Sequence, residues 1–212
     1  MKSLFRSLLY LVMSIGLSCA HGGAYEDFFA AINRDDDWAV AKLLERGFDP
    51  NSRDPKGQTG LILALRDDSP RVAEALWKSP SLDVNAQNTS GETALMMAAL
   101  RGQVAWMQRL LGRGAQVHKE GWSPVHYAAT GAEVKALALL LERGAPVEAL
   151  SPDNDTPLMM AARYGAEGSV ELLLARGASA SAKNSRNLDA VDLARAGGRD
   201  FLVERLQKSV KR

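Results

Sequence analysis

Two stretches of the chain are near copies of each other: Glu92–Gly102 reads ETALMMAALRG and Asp155–Gly165 reads DTPLMMAARYG. They begin 63 residues apart. A chain that carries the same eleven residues twice at this distance is typically built from repeated structural units. We therefore expect further copies of the pattern elsewhere in the sequence.

Weaker copies begin at Gln58, Trp122 and Leu188. The position that holds proline in two copies is occupied in turn by Gly60, Ala94, Pro124, Pro157 and Ala190, with spacings of 34, 30, 33 and 33 residues. A second marker, usually glycine, recurs at Gly47, Ser81, Gly114, Gly144 and Gly177. This period predicts a single domain of six repeats over residues 25–210, with approximate bounds 25–53, 54–87, 88–120, 121–150, 151–183 and 184–210.

Each repeat is predicted to form two helices and a projecting turn. Thr156 can accept hydrogen bonds from the free N–H groups at a helix start, and Pro157 suits the first turn, where no N–H donor is needed. Gly102 and Gly165 are expected to end first helices and reverse the chain, and Gly177 to end a second helix. The apolar side chains expected to face inward from that second helix are Val170, Leu173 and Leu174.

The best-formed copies are SPVHYAA at Ser123–Ala129 and TPLMMAA at Thr156–Ala162, each followed by a run such as LLLERGA. With the period near 33, they resemble the ankyrin repeat, whose signature is T-P-L-H-x-A. The resemblance covers about 185 of the 212 residues. It implies an all-α solenoid of stacked helix-turn-helix units with projecting β-hairpin loops.

The sequence departs from the family pattern in two ways. The signature histidine, which in the family bonds to the backbone of the adjoining hairpin, is present only as His126. The segment between Gly114 and Pro124 is three residues short, so the hairpin there is expected to be clipped. The other copies hold Ile62, Met96, Met159 and Asp192 at the histidine position.

The first twenty residues follow a different pattern, typical of a secretory signal peptide of the short, bacterial kind. Lys2 and Arg6 precede an apolar run over residues 8–17, and small residues follow it. The run is too short to cross a bilayer, for which a helix needs about 20 residues. We expect residues 1–20 to be removed, with cleavage after Ala20 or Ala24, and a periplasmic or secreted product that does not insert in a membrane.

Two alternatives remain for this segment: a buried N-terminal helix, and a lipid anchor on Cys19. Gly16 stands three residues before Cys19, where lipoprotein signals usually place leucine, so the anchor is less favoured. Cleavage after Ala20 would remove the only cysteine and change the formal charge from +1 to −1. The mature protein would then depend on packing alone, without disulfides.

Few side chains suit catalysis or metal binding. Apart from Cys19 the candidates are His21, His118 and His126, and no zinc-protease, nucleophile-elbow or phosphate-loop motif is present in the sequence. Asp35–Asp37 are expected to begin a helix, where carboxylates favour the dipole, and the methionine pairs to fill the core. We therefore expect no enzyme, no cofactor and no metal, and the near-neutral charge gives no sign of nucleic-acid binding.

In ankyrin proteins the fingertips and the exposed side of the first helices form a concave groove that binds other proteins. If the same surface is used in this chain, the expected partner-binding residues are Arg34, Arg66, Asp67, Leu100, Arg101, Trp122, Thr130, Arg163 and Tyr164. Asp155 is expected as a further fingertip. Arginine, tyrosine and tryptophan are enriched at interface hot spots. The alternative is that the arginines only solvate a helix face and that Trp122 only packs its hairpin.

The resemblance implies a non-catalytic module that binds a partner protein, and we expect a monomer. From residue type alone, the arginines suit an acidic partner surface. A second hypothesis is a secreted effector or inhibitor that blocks one target enzyme. The sequence does not separate these roles, because the fold carries function through its variable surface.

Overall fold

The computed structural model describes residues 23–210 of the chain. The predicted leader, Cys19 and His21 lie outside these residues. The described range contains twelve helices and no strand, with isolated antiparallel bridges at Arg53–Thr59 and Gln87–Thr93. The helices are α1 (residues 23–33), α2 (Asp37–Glu45), α3 (Gly60–Arg66), α4 (Pro70–Trp77), α5 (Ala94–Leu100), α6 (Val104–Gly112), α7 (Pro124–Thr130), α8 (Val134–Glu142), α9 (Pro157–Arg163), α10 (Glu167–Ala175), α11 (Ala190–Ala196) and α12 (Asp200–Val210).

The chain divides between Asp83 and Val84 into two compact bodies. The N-terminal body, residues 23–83, holds α1 to α4, and the C-terminal body, residues 84–210, holds α5 to α12. The helices follow one another as six pairs, so the predicted all-α repeat fold is confirmed. The exact bounds of the repeats stay a prediction.

In the N-terminal body the acidic run 35–37 shapes the turn between α1 and α2. Asp35 adopts a left-handed φ of 51°, and its carboxylate accepts a hydrogen bond from the Val72 N–H at 2.8 Å, in the first turn of α4. Asp36 caps α2 by accepting from the Ala39 N–H at 3.0 Å. The predicted helix start is confirmed, and the core of this body is formed by Phe28, Ile32, Val40, Leu61, Ile62, Leu65, Val72 and Leu76.

In the C-terminal body the helices form two rows. The first helices of the pairs, α5, α7, α9 and α11, contact one another in order, and the second helices α6, α8 and α10 do the same. Each first helix also packs on the second helix of its own pair. The largest side chains buried between the rows include Leu95, Met107, Leu110, Leu137, Leu140, Leu158 and Leu173, and burying each such side chain stabilises the fold by about 1.5–3 kcal/mol.

The helix ends follow local chemistry. Thr156 caps α9 by accepting from the Met159 N–H at 3.3 Å, and Pro157 occupies the first turn, as predicted. Gly177 follows α10 with a left-handed φ of 86°. Val170 and Leu173 are fully buried, but Leu174 is only half-buried.

Four of the turns that project between repeats share one design. They cover residues 54–58, 88–92, 151–155 and 184–188, and in each the first N–H donates to the fifth carbonyl. The side-chain oxygen of the first residue accepts from the fifth N–H in return. The first residues are Asp54, Asn88, Ser151 and Asn184.

Asp155, expected as an exposed fingertip, is instead buried. It is 8% exposed, and its carboxylate accepts a hydrogen bond from the Asn184 amide at 2.7 Å. The fingertip assignment is therefore wrong, because this side chain joins its own turn to the next one along the chain.

The turn after Gly114 is clipped, as predicted from its missing residues. The paired five-residue design does not occur within residues 115–123, all of which the structure describes. Lys119 partly replaces it, since its ammonium group donates to the carbonyls of Glu120 and Trp122, each at 3.3 Å. Trp122 is the last residue of this turn, and Ser123 follows it as the residue that precedes α7.

His126 makes the bonds that the family pattern implies. Its Nδ1 accepts from the Ser123 N–H at 3.2 Å, so Nε2 carries the proton and donates to the carbonyls of Ala149 and Asp155, at 3.0 and 3.2 Å. The side chain is fully buried, and this burial lowers its pKa from the ordinary value, although the surrounding carbonyls act in the opposite sense. The neutral ring thus links α7 to the turn that precedes α9.

Gly165 follows the end of α9 at Arg163, as expected, but it differs from Gly102 in its backbone. Only Gly102 of the two adopts positive φ, at 68°. A Cβ at Gly165 would lie 2.0 Å from the Ala129 carbonyl oxygen and 2.9 Å from the Ala161 Cα. Gly165 is therefore needed so that the chain after α9 can lie against the end of α7.

We expect Gly165→Ala to destabilise the protein by about 1–3 kcal/mol, because the backbone must shift to relieve the overlap. Gly112→Ala is the matched control, since a Cβ there has no atom within 4 Å and alanine favours helix by about 0.5–1 kcal/mol. The measurement is the denaturation midpoint followed by circular dichroism. Equal effects of the two changes would contradict the close approach.

We expect His126 to make stability depend on pH. The unfolded chain binds a proton near the ordinary pKa while the folded chain resists it, so this contribution is complete above about pH 6.5 and declines as the pH falls below it. His126→Met should cost about 1–3 kcal/mol at neutral pH, because the buried carbonyls lose their donor. It should also flatten the change in stability between about pH 7.5 and pH 5.

Urea denaturation at the two pH values checks this prediction. His118→Gln is the control, because that imidazole is exposed and the variant should keep the pH dependence if His126 is its source. A His126→Met protein with the full pH dependence of the wild type would assign the effect to other groups.

Candidate functional site

In the N-terminal body the expected partner-binding residues are exposed but partly neutralised. Arg34 lies at the end of the helical segment 23–33, on the surface. Arg66 ends α3, and its guanidinium forms a two-pronged ion pair with Asp67, with both N–O distances at 2.8 Å. The charge of Arg66 is therefore partly satisfied before any partner arrives.

In the C-terminal body three of the expected residues line one pocket. Leu100 at the end of α5, Trp122 before α7 and Thr130 at the end of α7 lie around a cavity of about 220 Å³. The remaining lining residues are His126, Tyr127 and Met160. The pocket therefore lies along the row of first helices, from the end of α5 to the middle of α9.

Trp122 forms an aromatic wall of this pocket. Its ring meets His126 edge to face at a centroid distance of 5.4 Å and Tyr127 at 6.4 Å. Such arrangements are favourable for aromatic pairs. Trp122 ends the clipped turn and comes two residues before α7, so the shortened segment and the pocket belong to the same part of the fold.

The side-chain hydroxyls at the pocket are already bonded within the protein. The Tyr127 hydroxyl donates to the Glu92 carboxylate at 2.8 Å, and the Thr130 hydroxyl donates to the His126 carbonyl at 2.9 Å. Burial, together with the bond to Glu92, raises the pKa of Tyr127, so the phenol stays neutral. The pocket consequently presents mainly carbon to whatever enters it.

Tyr127 and Met160 were missed because they follow the histidine position of the repeat, where core filling was expected. Met159 is 1% exposed and does fill the core, but Met160 is half-buried and reaches the pocket. The equivalent Met97 is 3% exposed. In the sequence, the aromatic residue Tyr127 was the one signal that the residue after the histidine position is not buried in every repeat.

The other expected residues of this body lie beside the pocket in the chain. Arg101 is exposed at the end of α5, directly after Leu100. Arg163 ends α9, with its guanidinium 5.0 Å from the centre of the Tyr164 ring, and Tyr164 is 54% exposed. Among the described residues neither Arg101 nor Arg163 forms an ion pair.

Within the described residues 23–210, no group of three or more His, Cys, Asp or Glu side chains is placed to hold a metal ion. In the same range no helix combines the length and apolar character that crossing a bilayer requires.

Comparison with known proteins shows which family the repeats resemble. The family model described as ankyrin repeats (3 copies) matches residues 28–120 and 102–184. Similar proteins include SH3 and multiple ankyrin repeat domains protein 2 of Homo sapiens, 37% identical over 161 residues, and B-cell lymphoma 3 protein homolog of Mus musculus, 32% identical over 164 residues. Inversin of Gallus gallus is 33% identical over 149 residues.

These matches cover 73%, 74% and 68% of this chain, in the order given, but only 9%, 37% and 13% of the relatives' own lengths. The chain thus spans only a small part of the length of each of these relatives. Because the family model covers well over half of the sequence and the fold consists of stacked helix pairs, the chain belongs to the ankyrin repeat family.

Proposed function

We propose that this chain is an exported, non-catalytic binding module that holds a partner protein against the first-helix face of its C-terminal body. Ankyrin repeats are generally protein–protein interaction modules, and the fold leaves the choice of partner to surface residues. The finer assignment depends on one observation. An apolar pocket and two unpaired arginines lie together along a row of first helices.

This combination differs from an ordinary solvated helix face. Trp122 and Tyr127 present large rings to the pocket, and Tyr164 is 54% exposed nearby in the chain. Aromatic and arginine side chains dominate the binding energy of many interfaces, where truncating one of them can cost about 2 kcal/mol or more. Burying an exposed ring against a partner removes apolar surface from water and so favours binding, whereas burying scattered surface charges gives no such gain.

The export part of the proposal rests on the leader pattern of residues 1–20, which favours a bacterial periplasmic or secreted location. A mature chain without cysteine suits an oxidising compartment. A lipid on Cys19 would instead tether the module to a membrane surface.

Export is tested by producing the full-length chain in a bacterial host and measuring its intact mass in each cell fraction. We expect a periplasmic product that begins at His21 or Tyr25, because the small residues before those positions suit cleavage. Val12→Arg, which interrupts the apolar run, should leave an uncut precursor in the cytoplasm. A wild-type chain that also stays uncut in the cytoplasm would refute export, and a product that begins at a lipid-modified Cys19 would show the anchor.

Partner binding is tested by affinity capture from the cell envelope of the native host. A triple variant, Arg101→Ala, Arg163→Ala and Tyr164→Ala, should lose a protein that the wild type retains, because the proposed face loses its charged and aromatic contacts. The matched control is Glu142→Ala, Arg143→Ala and Arg176→Ala, which changes exposed residues at the ends of the second helices α8 and α10.

Retention by all three proteins would move the binding surface elsewhere on the molecule. The activity of a captured enzyme with and without this chain then separates the two roles. Loss of that activity would assign an inhibitor, and unchanged activity would assign a scaffold.

A further inference from the structure

We propose that the pocket between α5, α7 and α9 seats one large apolar side chain from an acidic segment of the partner protein. This inference rests on the proposed function and specifies the chemistry of the partner at that site.

The size of the cavity favours a single side chain over a free small molecule. Its volume of about 220 Å³ lies below the roughly 300–1,000 Å³ of pockets that enclose drug-sized ligands. It is sufficient for one leucine, methionine or aromatic side chain. A protein segment can insert such a side chain while its backbone remains on the surface of the first helices.

The lining favours an apolar occupant. Leu100 and Met160 contribute aliphatic and thioether atoms from opposite sides, and Trp122 contributes a ring. The hydroxyls of Tyr127 and Thr130 are engaged with protein acceptors, and both ring nitrogens of His126 are bonded to backbone. A polar side chain would therefore lose its water without gaining a partner among these three residues, which is unfavourable.

The surroundings of the pocket favour an acidic segment. Arg101 directly follows Leu100, Arg163 lies one helical turn after Met160, and Lys119 donates to the carbonyl of Trp122. Each cation is thus tied through the chain or a hydrogen bond to a residue of the lining. Cations around an apolar patch attract and orient segments rich in Asp and Glu.

The neighbouring carboxylates are already engaged. The two oxygens of Glu92 accept from the Tyr127 hydroxyl at 2.8 Å and from the Asn88 amide at 2.6 Å. Glu133, which lies beside Gly102, accepts from the Lys135 N–H at 3.1 Å at the start of α8. These bonds come from neutral donors, so both carboxylates keep their negative charge, but in the described range no ion pair joins them to Arg101, Arg163 or Lys119. Because Lys119 bonds only to carbonyl oxygens, the three cations keep their charge for an incoming acidic chain.

The test selects random displayed peptides of about twelve residues on the purified full chain and then measures the affinity of synthetic peptides that carry the selected sequence. We expect sequences with one Leu, Met, Phe or Trp flanked by Asp and Glu. Met160→Arg should weaken their binding about tenfold or more, because the new side chain fills the pocket with charge. Leu100→Lys is the second variant, because this half-buried residue at the end of α5 tolerates a long polar side chain at lower risk to folding.

Two double variants test whether the arginines beside the pocket attract the acidic peptide. Arg101→Glu with Arg163→Glu should weaken binding about tenfold and reduce its dependence on salt. Arg143→Glu with Arg176→Glu makes the same change in net charge at exposed residues after α8 and α10 and should leave the affinity within about twofold. Thermal unfolding of every variant shows whether the fold is kept.

Several outcomes would overturn the inference. These are the absence of enrichment over a parallel selection on Met160→Arg, selected peptides without acidic residues, and equal binding by the two charge-reversed pairs. If Met160→Arg loses binding because it no longer folds, the affinity of Leu100→Lys decides whether the pocket is needed. A native partner that is captured equally well by folded Met160→Arg would also overturn it, while the binding module itself would stand.

Discussion

The C-terminal body depends on how closely successive first helices approach each other. The loop glycines Gly131, Gly165 and Gly197 lie so near the preceding first helix that a Cβ would be 2.7 Å or less from the carbonyl oxygens of Leu100, Ala129 and Arg163. Alanine pairs on the first helices serve the same purpose. This spacing brings the ends of α5, α7 and α9 together, so the site is a by-product of the stacking that stabilises the fold.

The site lies on the part of α7 where larger, partly exposed side chains stand next to the buried alanines. Alanine fills the inward positions 128 and 129, whereas Tyr127 and Thr130 on the same helix are half-exposed. Together with Trp122, which comes two residues before α7, these side chains and residues of α5 and α9 surround one cavity. The turn that ends at Trp122 is the shortened one, so the pocket lies beside a local irregularity of the repeat.

The repeat period, the helix caps at Thr156 and Pro157 and the clipped turn could be predicted from the sequence, because each depends on local chemistry or on a count of residues. The role of His126 was implied by the resemblance to the ankyrin signature, since its side chain bonds to the carbonyls of Ala149 and Asp155, which lie 23 and 29 residues away in the chain. The buried Asp155, the close contact at Gly165 and the outward Met160 could not be predicted from the sequence. Each depends on what the adjoining repeat places opposite it. Met97 and Met160 occupy equivalent positions, yet only Met160 reaches the pocket.

Two asparagines show how the chain can change in length while the fold persists. The Asn51 amide bonds to Ser81 and Asp83 in the N-terminal body, at separations of 30 and 32 residues. Asn85 bonds to Gly114 and Gln116 in the C-terminal body, at separations of 29 and 31. Both pairs of bonds form although the intervening segments differ by one residue. The same two bonds from one asparagine amide can therefore close segments whose lengths differ by one residue.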